Sequence, residues 1–184
     1  MVNRTTLAEK LGMTPRTSVL LQKAKGLGLA DASALELLAV SRGCWHYRQP
    51  EMPGLLTVEE SRFTNEELAI ALLSPSQPYS PHTIRLGAAM LGAADNRAEE
   101  LISLAKAEGC ETPVRYIAKA GLHFEPNNRL WHELLAKLPQ TRQPEEGVFP
   151  HRTRFVSSTG FTRTGRGNVT IWIRPRADLA LADG

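Results

Sequence analysis

The chain has 184 residues, 42% of them hydrophobic and 22% charged, with a net charge of +3; that balance belongs to an ordinary globular protein and excludes wholesale disorder. At this length it can bury a substantial core as one domain, or as one domain with a small appendage. Its apolar runs fall short of the ~20 residues that a membrane helix needs, and its first residues lead straight into polar sequence without a signal core, so a cytoplasmic protein is expected. The two cysteines, Cys44 and Cys110, are then expected as free thiols.

Helix signals dominate the first three quarters. Thr5 and Thr6 supply a cap for a helix through Leu11, which Gly12 ends. Thr14 and Pro15 read as the cap and first position of a second helix, because proline's missing N–H does no harm there. Val19, Leu20, Leu21 and Ala24 form its apolar face, and Gly26 and Gly28 close it. Asp31 or Ala32 opens a third helix with Leu35, Leu37, Leu38 and Val40, stopped at Gly43. Residues 44–57 contain Pro50, Pro53 and Gly54 and read as an irregular connection. Thr64 to Glu67 has the pattern of a capping start, with a helix to Leu73. Ser80 and Pro81 repeat the cap-plus-proline device for a helix bearing Ile84, Leu86, Ala89 and Leu91. Further helices are predicted over residues 96–107, 112–120 and 127–138, giving about seven in all.

After Pro139 the periodicity changes. Residues 139–150, with Pro144, Gly147 and Pro150, read as a linker. Residues 154–156 and 169–173 are β-type runs separated by the turn composition of Gly165, Arg166, Gly167 and Asn168. The second run alternates, placing Val169, Ile171 and Ile173 towards a core and Thr170, Trp172 and Arg174 opposite; Pro175 ends it. The expected organisation is a helical domain over residues 1–138, the linker, an arginine-rich β-hairpin appendage over residues 151–177, and a tail over 178–184. The fold class is thus mainly α, α+β overall.

Charge is unevenly placed along this plan. Residues 1–138 carry fifteen basic and fifteen acidic side chains, whereas residues 139–177 hold Arg142, Arg152, Arg154, Arg163, Arg166, Arg174 and Arg176, no lysine, and only Glu145 and Glu146 in opposition. Guanidinium presents a planar fork of donors that fits phosphate or carboxylate two at a time, so the asymmetry points to a polyanion or to an acidic protein surface. Arginines on a hairpin also snorkel over apolar surface, pair with acids of their own chain, or block edge-to-edge association. A tryptophan among them, Trp172, would stack on a base while the arginines hold phosphates.

Two N-terminal stretches bear on the same question. Residues 7–19 place a small Ala8 on one helix, Gly12 in a turn, and a second helix that starts polar and basic around Arg16; this resembles a helix-turn-helix, with the apolar residue expected at position 18 appearing at Val19. Two plain helices joined at a C-cap glycine give the same pattern. Gly26-Leu27-Gly28, beside Lys25, resembles the turn of a helix-hairpin-helix, in which backbone amides approach a phosphate. Asp31 at its lip would repel phosphate, and it serves more simply as a cap.

Metal and catalytic patterns are weak. Cys44 and His46 form one close pair without a second, and Trp131-His132-Glu133 begins like a zinc-protease helix but has Ala136 where the second histidine belongs. No nucleophile-elbow, P-loop or dinucleotide-binding motif occurs. Neither metal nor other cofactor is expected. The sequence therefore points to a non-enzymatic nucleic-acid-associated protein, with Arg152, Arg154, Arg163, Arg166, Trp172, Arg174 and Arg176 as the binding set and Arg16 and Lys25 in support. The alternative is an assembly module whose hairpin docks on an acidic surface of a partner or of a second copy.

Overall fold

Local capping chemistry sets most of the helix starts in the computed structural model, which describes residues 4–159 and 169–180. In α1 (Leu7–Lys10) Thr6 and Glu9 satisfy each other's backbone amides in a capping box. The second helix departs from expectation: α2 (Val19–Gly26) starts four residues beyond Pro15, capped by Ser18. A distant carboxylate explains this, because Glu108 accepts both the Ser18 hydroxyl and the Leu20 N–H at 3.0 Å. That reinforces one cap over the other. Asp31 caps α3 (Ala32–Ser41), Thr64 and Glu67 form the box of α4 (Asn65–Leu72), and Ser80 caps α5 (Pro81–Leu91) with Pro81 in its first turn. Then come α6 (Ala98–Glu108), α7 (Glu111–Phe124) and α8 (Arg129–Lys137). Eight α-helices stand among the described residues, in line with the run of about seven short helices expected from the sequence.

The core is organised around α4. Leu68, Ala69, Ile70, Ala71, Leu72 and Leu73 are all buried, and a helix apolar all round must be enclosed on every side. It packs on α5, α6, α3 and α2. Thr6 bridges to Pro78, and the Leu7 and Ala8 amides donate to carbonyls of Gln77 and Pro75 at 3.0 and 2.8 Å, so α1 is tied to the α4–α5 connection.

The C-terminal segment closes the remaining side. β1 (Val156–Thr159) pairs antiparallel with β2 (Val169–Trp172), matching Val156 with Trp172 and Thr159 with Val169. Burial along β2 departs from the sequence expectation. Trp172 is 1% exposed while Val169 and Ile171 are 39% and 49% exposed; of the three residues expected inside, Ile173 alone is buried. Burial does not alternate, since residues 169–171 are all exposed and Trp172 and Ile173 both buried: the hairpin meets the core only at its base, and there the indole offers far more area to bury than a β-branched side chain.

Two glycines make room for the indoles. A Cβ at Gly92 would lie 2.7 Å from the Trp172 Nε1, and one at Gly121 would collide with the Trp131 ring. The two tryptophans touch with centroids 5.0 Å apart. Around them Glu125 accepts the Trp131 indole N–H at 2.8 Å, the Asn128 amide at 3.0 Å, and the Arg174 guanidinium at 2.7 and 2.9 Å on its two oxygens. Arg174 also donates to the Gly92 carbonyl at 2.9 Å, and Trp172 to that of Ala88 at 3.3 Å. Burial pushes the Glu125 carboxyl up, but the hydrogen bonds from Trp131, Arg174 and Asn128 outweigh it and hold the group below its ordinary value.

Gly121→Ala should destabilise the fold by about 1–3 kcal/mol, the usual cost of forcing extra volume into a packed core, read as a lowered urea midpoint at unchanged slope. A midpoint equal to wild type would mean that Trp131 does not depend on that gap.

The two glycines at the end of α2 separate in role. Gly26 is helical with open space about its Cα, whereas Gly28 has φ +89°. The sequence reading treats both as terminators; in the structure that role falls to Gly28. Gly28→Ala should cost about 1 kcal/mol and Gly26→Ala should gain about 0.5 kcal/mol, as opposite shifts in melting temperature.

Candidate functional site

Four residues of α7 at helical spacing, Thr112, Arg115, Tyr116 and Lys119, share one face. The segment from Thr141 to Arg152 crosses that face, and between them lies a cleft of about 320 Å³ lined also by Ala120, Thr141, Arg142, Gln143, Pro144, His151 and Arg152. None of the lining residues is acidic. Lys119, Arg142 and Arg152 are exposed and make no hydrogen bond or ion pair among the described residues.

The crossing segment, read from the sequence as a linker, is packed down. Val148 and Phe149 are buried, and Phe149 stacks on Tyr116 with centroids 4.7 Å apart. The protein has three tyrosines; two spend their hydroxyls on carbonyls of this segment, Tyr79 donating to Val148 at 2.7 Å and Tyr116 to Pro150 at 2.8 Å, and the third, Tyr47, donates to Arg154 just beyond it at 3.1 Å. Arg115, 6% exposed, fixes the segment's start; it donates to the carbonyls of Leu135 and Leu138 at 2.9 and 3.0 Å and to the Gln140 side chain at 3.3 Å. Its charge thus meets the carbonyl end of α8, where a cation is favoured. His151 turns Nδ1 to Thr153, whose amide donates to it at 3.4 Å, which leaves Nε2 as the ring's donor for anything in the cleft.

The sequence-derived residues divide sharply. Arg152 lines the cleft and Arg154 is exposed nearby in the chain. Arg163 and Arg166 lie outside the described residues. Trp172 is corrected outright, since a buried indole packed on Trp131 and Phe155 has no face for a base. Arg174 is committed to Glu125, and Arg176 is paired with Asp178 at 2.6 Å while its backbone amide donates to Gly43. Arg16 sits in extended chain before α2, donating to the Ala107 carbonyl at 2.8 Å at the end of α6; Lys25 is exposed in the last turn of α2. The start of α2 is held on Glu108, so the second helix of the N-terminal pair begins at Val19 and leaves Arg16 outside it. Lys119, Arg115 and Arg142 are absent from the sequence-derived set; the i, i+4 spacing of Arg115 and Lys119 is the available local signal.

No three His, Cys, Asp or Glu residues stand together as a metal site among the described residues, and no described helix is long and apolar enough to cross a membrane. No family model matches this chain, and comparison with curated proteins and with solved structures gives no significant match.

Burial pushes the Cys44 thiol and the Tyr47 phenol each up to about 12, and it raises Cys110 and Tyr116 as well. Each neutral form is favoured in the fold, so the stability these groups contribute is complete below their unfolded values, about 8.5 for Cys and 10 for Tyr, and is lost as pH rises towards 12. The urea midpoint should fall steadily over that window, and Tyr47→Phe should flatten the upper part of the fall. A midpoint constant to pH 12 would contradict the assigned burial.

Proposed function

We propose that the protein is a non-enzymatic, nucleic-acid-associated protein of the cytoplasm that holds phosphate groups in the cleft between α7 and the crossing segment. One observation carries this reading: Lys119 of α7 and Arg142 and Arg152 of the crossing segment line one concave site that has no acidic residue in its lining. Uncompensated cations repel one another, so the arrangement favours an anion between them. Guanidinium forks and threonine hydroxyls are donors suited to phosphate oxygens. With Trp172 inside the core, recognition rests on charge and hydrogen bonding rather than on Trp172 stacking, and low base specificity follows. The free thiols Cys44 and Cys110 agree with a reducing compartment.

An acidic protein partner is the second reading, favoured by the exposed Ile171 on the hairpin, since apolar surface contributes to protein contacts and nothing to phosphate binding.

Binding to duplex DNA or RNA should weaken with salt, and the Lys119→Ala, Arg142→Ala, Arg152→Ala triple variant should lose most of the affinity without a change in melting temperature. Three phosphate contacts set a log-log salt slope near ~2.7 for duplex DNA, at roughly 0.9 for each neutralised phosphate. Absent binding at low salt, or a triple variant equal to wild type, would defeat the proposal; salt-sensitive capture of acidic proteins alone would favour the second reading.

A further inference from the structure

Resting on that reading, we infer that the cleft is a socket for a phosphomonoester, as carried by the phosphorylated end of a strand or by a mononucleotide, rather than a track for continuous backbone. Size is the first argument. A cavity of about 320 Å³ stands at the small end of the range for small-molecule sites, roughly 300–1,000 Å³. It accommodates one nucleotide, not a run of them.

Charge is the second argument. Lys119, Arg142 and Arg152 converge with no carboxylate among the lining residues, and the buried Arg115 adds a fourth positive charge whose hydrogen bonds go to carbonyl and amide oxygens, not to an acid. A phosphodiester brings one negative charge. A phosphomonoester brings about −1.5 to −2 at neutral pH and three acceptor oxygens, so it relieves more of the repulsion and engages more of the donors. Two arginine forks, the Lys119 ammonium, the Thr112 and Thr141 hydroxyls and the His151 Nε2–H are the donors available.

Preorganisation is the third. The side chains of Arg142, His151 and Arg152 are exposed, but the backbone that carries them is fixed by the Tyr116 bond to Pro150, the Phe149 stack and the Arg115 bonds to the end of α8. Holding the backbone of the donors in place beforehand leaves only the side chains to be ordered when one small, highly charged group binds.

The test uses the full chain and one short single-stranded oligonucleotide in three forms, with a 5′-phosphate, with a 3′-phosphate, and with hydroxyls at both ends, plus a nucleoside monophosphate as competitor. A terminal phosphate at one end should tighten binding by at least about tenfold, a difference easily resolved in affinity. The mononucleotide should compete, and Arg142→Ala with Arg152→Ala should erase the advantage of the phosphorylated form while both variants melt as wild type. Equal binding of all three forms would overturn the socket and leave the backbone reading standing. Binding of the mononucleotide without any oligonucleotide would support the socket and remove the nucleic-acid reading. No binding of any of them would overturn both.

Discussion

An indole can approach helical backbone this closely only where a side chain is missing, and this fold provides that gap twice, at Gly92 just past the end of α5 against Trp172 and at Gly121 within α7 against Trp131. The pair is then sealed by a half-buried Arg174–Glu125 bridge, in which both carboxylate oxygens and the Gly92 carbonyl are satisfied at once. A half-buried ion pair alone is weak support, but the fully hydrogen-bonded network fixes a geometry in which no other residue of β2 can take the place of Trp172. The position of the hairpin follows from this, and so does the course of the chain that leads into it.

From Trp172 an aromatic series continues outwards through Phe155 at 5.6 Å, Tyr116 at 6.4 Å from Phe155, and Phe149 stacked on Tyr116. The segment before β1 is thereby laid along α7, and three tyrosine hydroxyls hold its carbonyls at intervals. Each such bond contributes about 1 kcal/mol net, yet together they turn a stretch without regular structure into a wall. The cleft exists because that wall stands opposite Lys119. Core packing and the candidate site are therefore parts of one arrangement.

The sequence made the local decisions legible. Thr6, Asp31, Thr64 and Ser80 each cap a helix as their side-chain chemistry requires, because a cap satisfies amides only two or three residues away. Long-range partners account for the departures. Ser18 prevails over Thr14 through Glu108, ninety residues distant. Trp172 faces inwards because of glycines in other helices, and Arg16 and Arg174 are consumed by carbonyl and carboxylate groups that no local pattern reveals. Proline and glycine between residues 139 and 150 suggested a passive linker, but hydroxyl and aromatic groups elsewhere hold it down. The arginine excess was visible at once; which of those arginines retain an open face depended on the tertiary fold.

Two indoles with centroids 5.0 Å apart and planes inclined at 56° have optical consequences. Their excited states mix at that separation, so the pair contributes a near-ultraviolet dichroism that neither ring gives alone. Trp45, the remaining tryptophan, is partly exposed and donates to the Leu179 carbonyl, outside the pair. The chain therefore carries an intrinsic optical gauge of whether β2 is seated on α5, α7 and α8, readable separately from the far-ultraviolet signal of the helices.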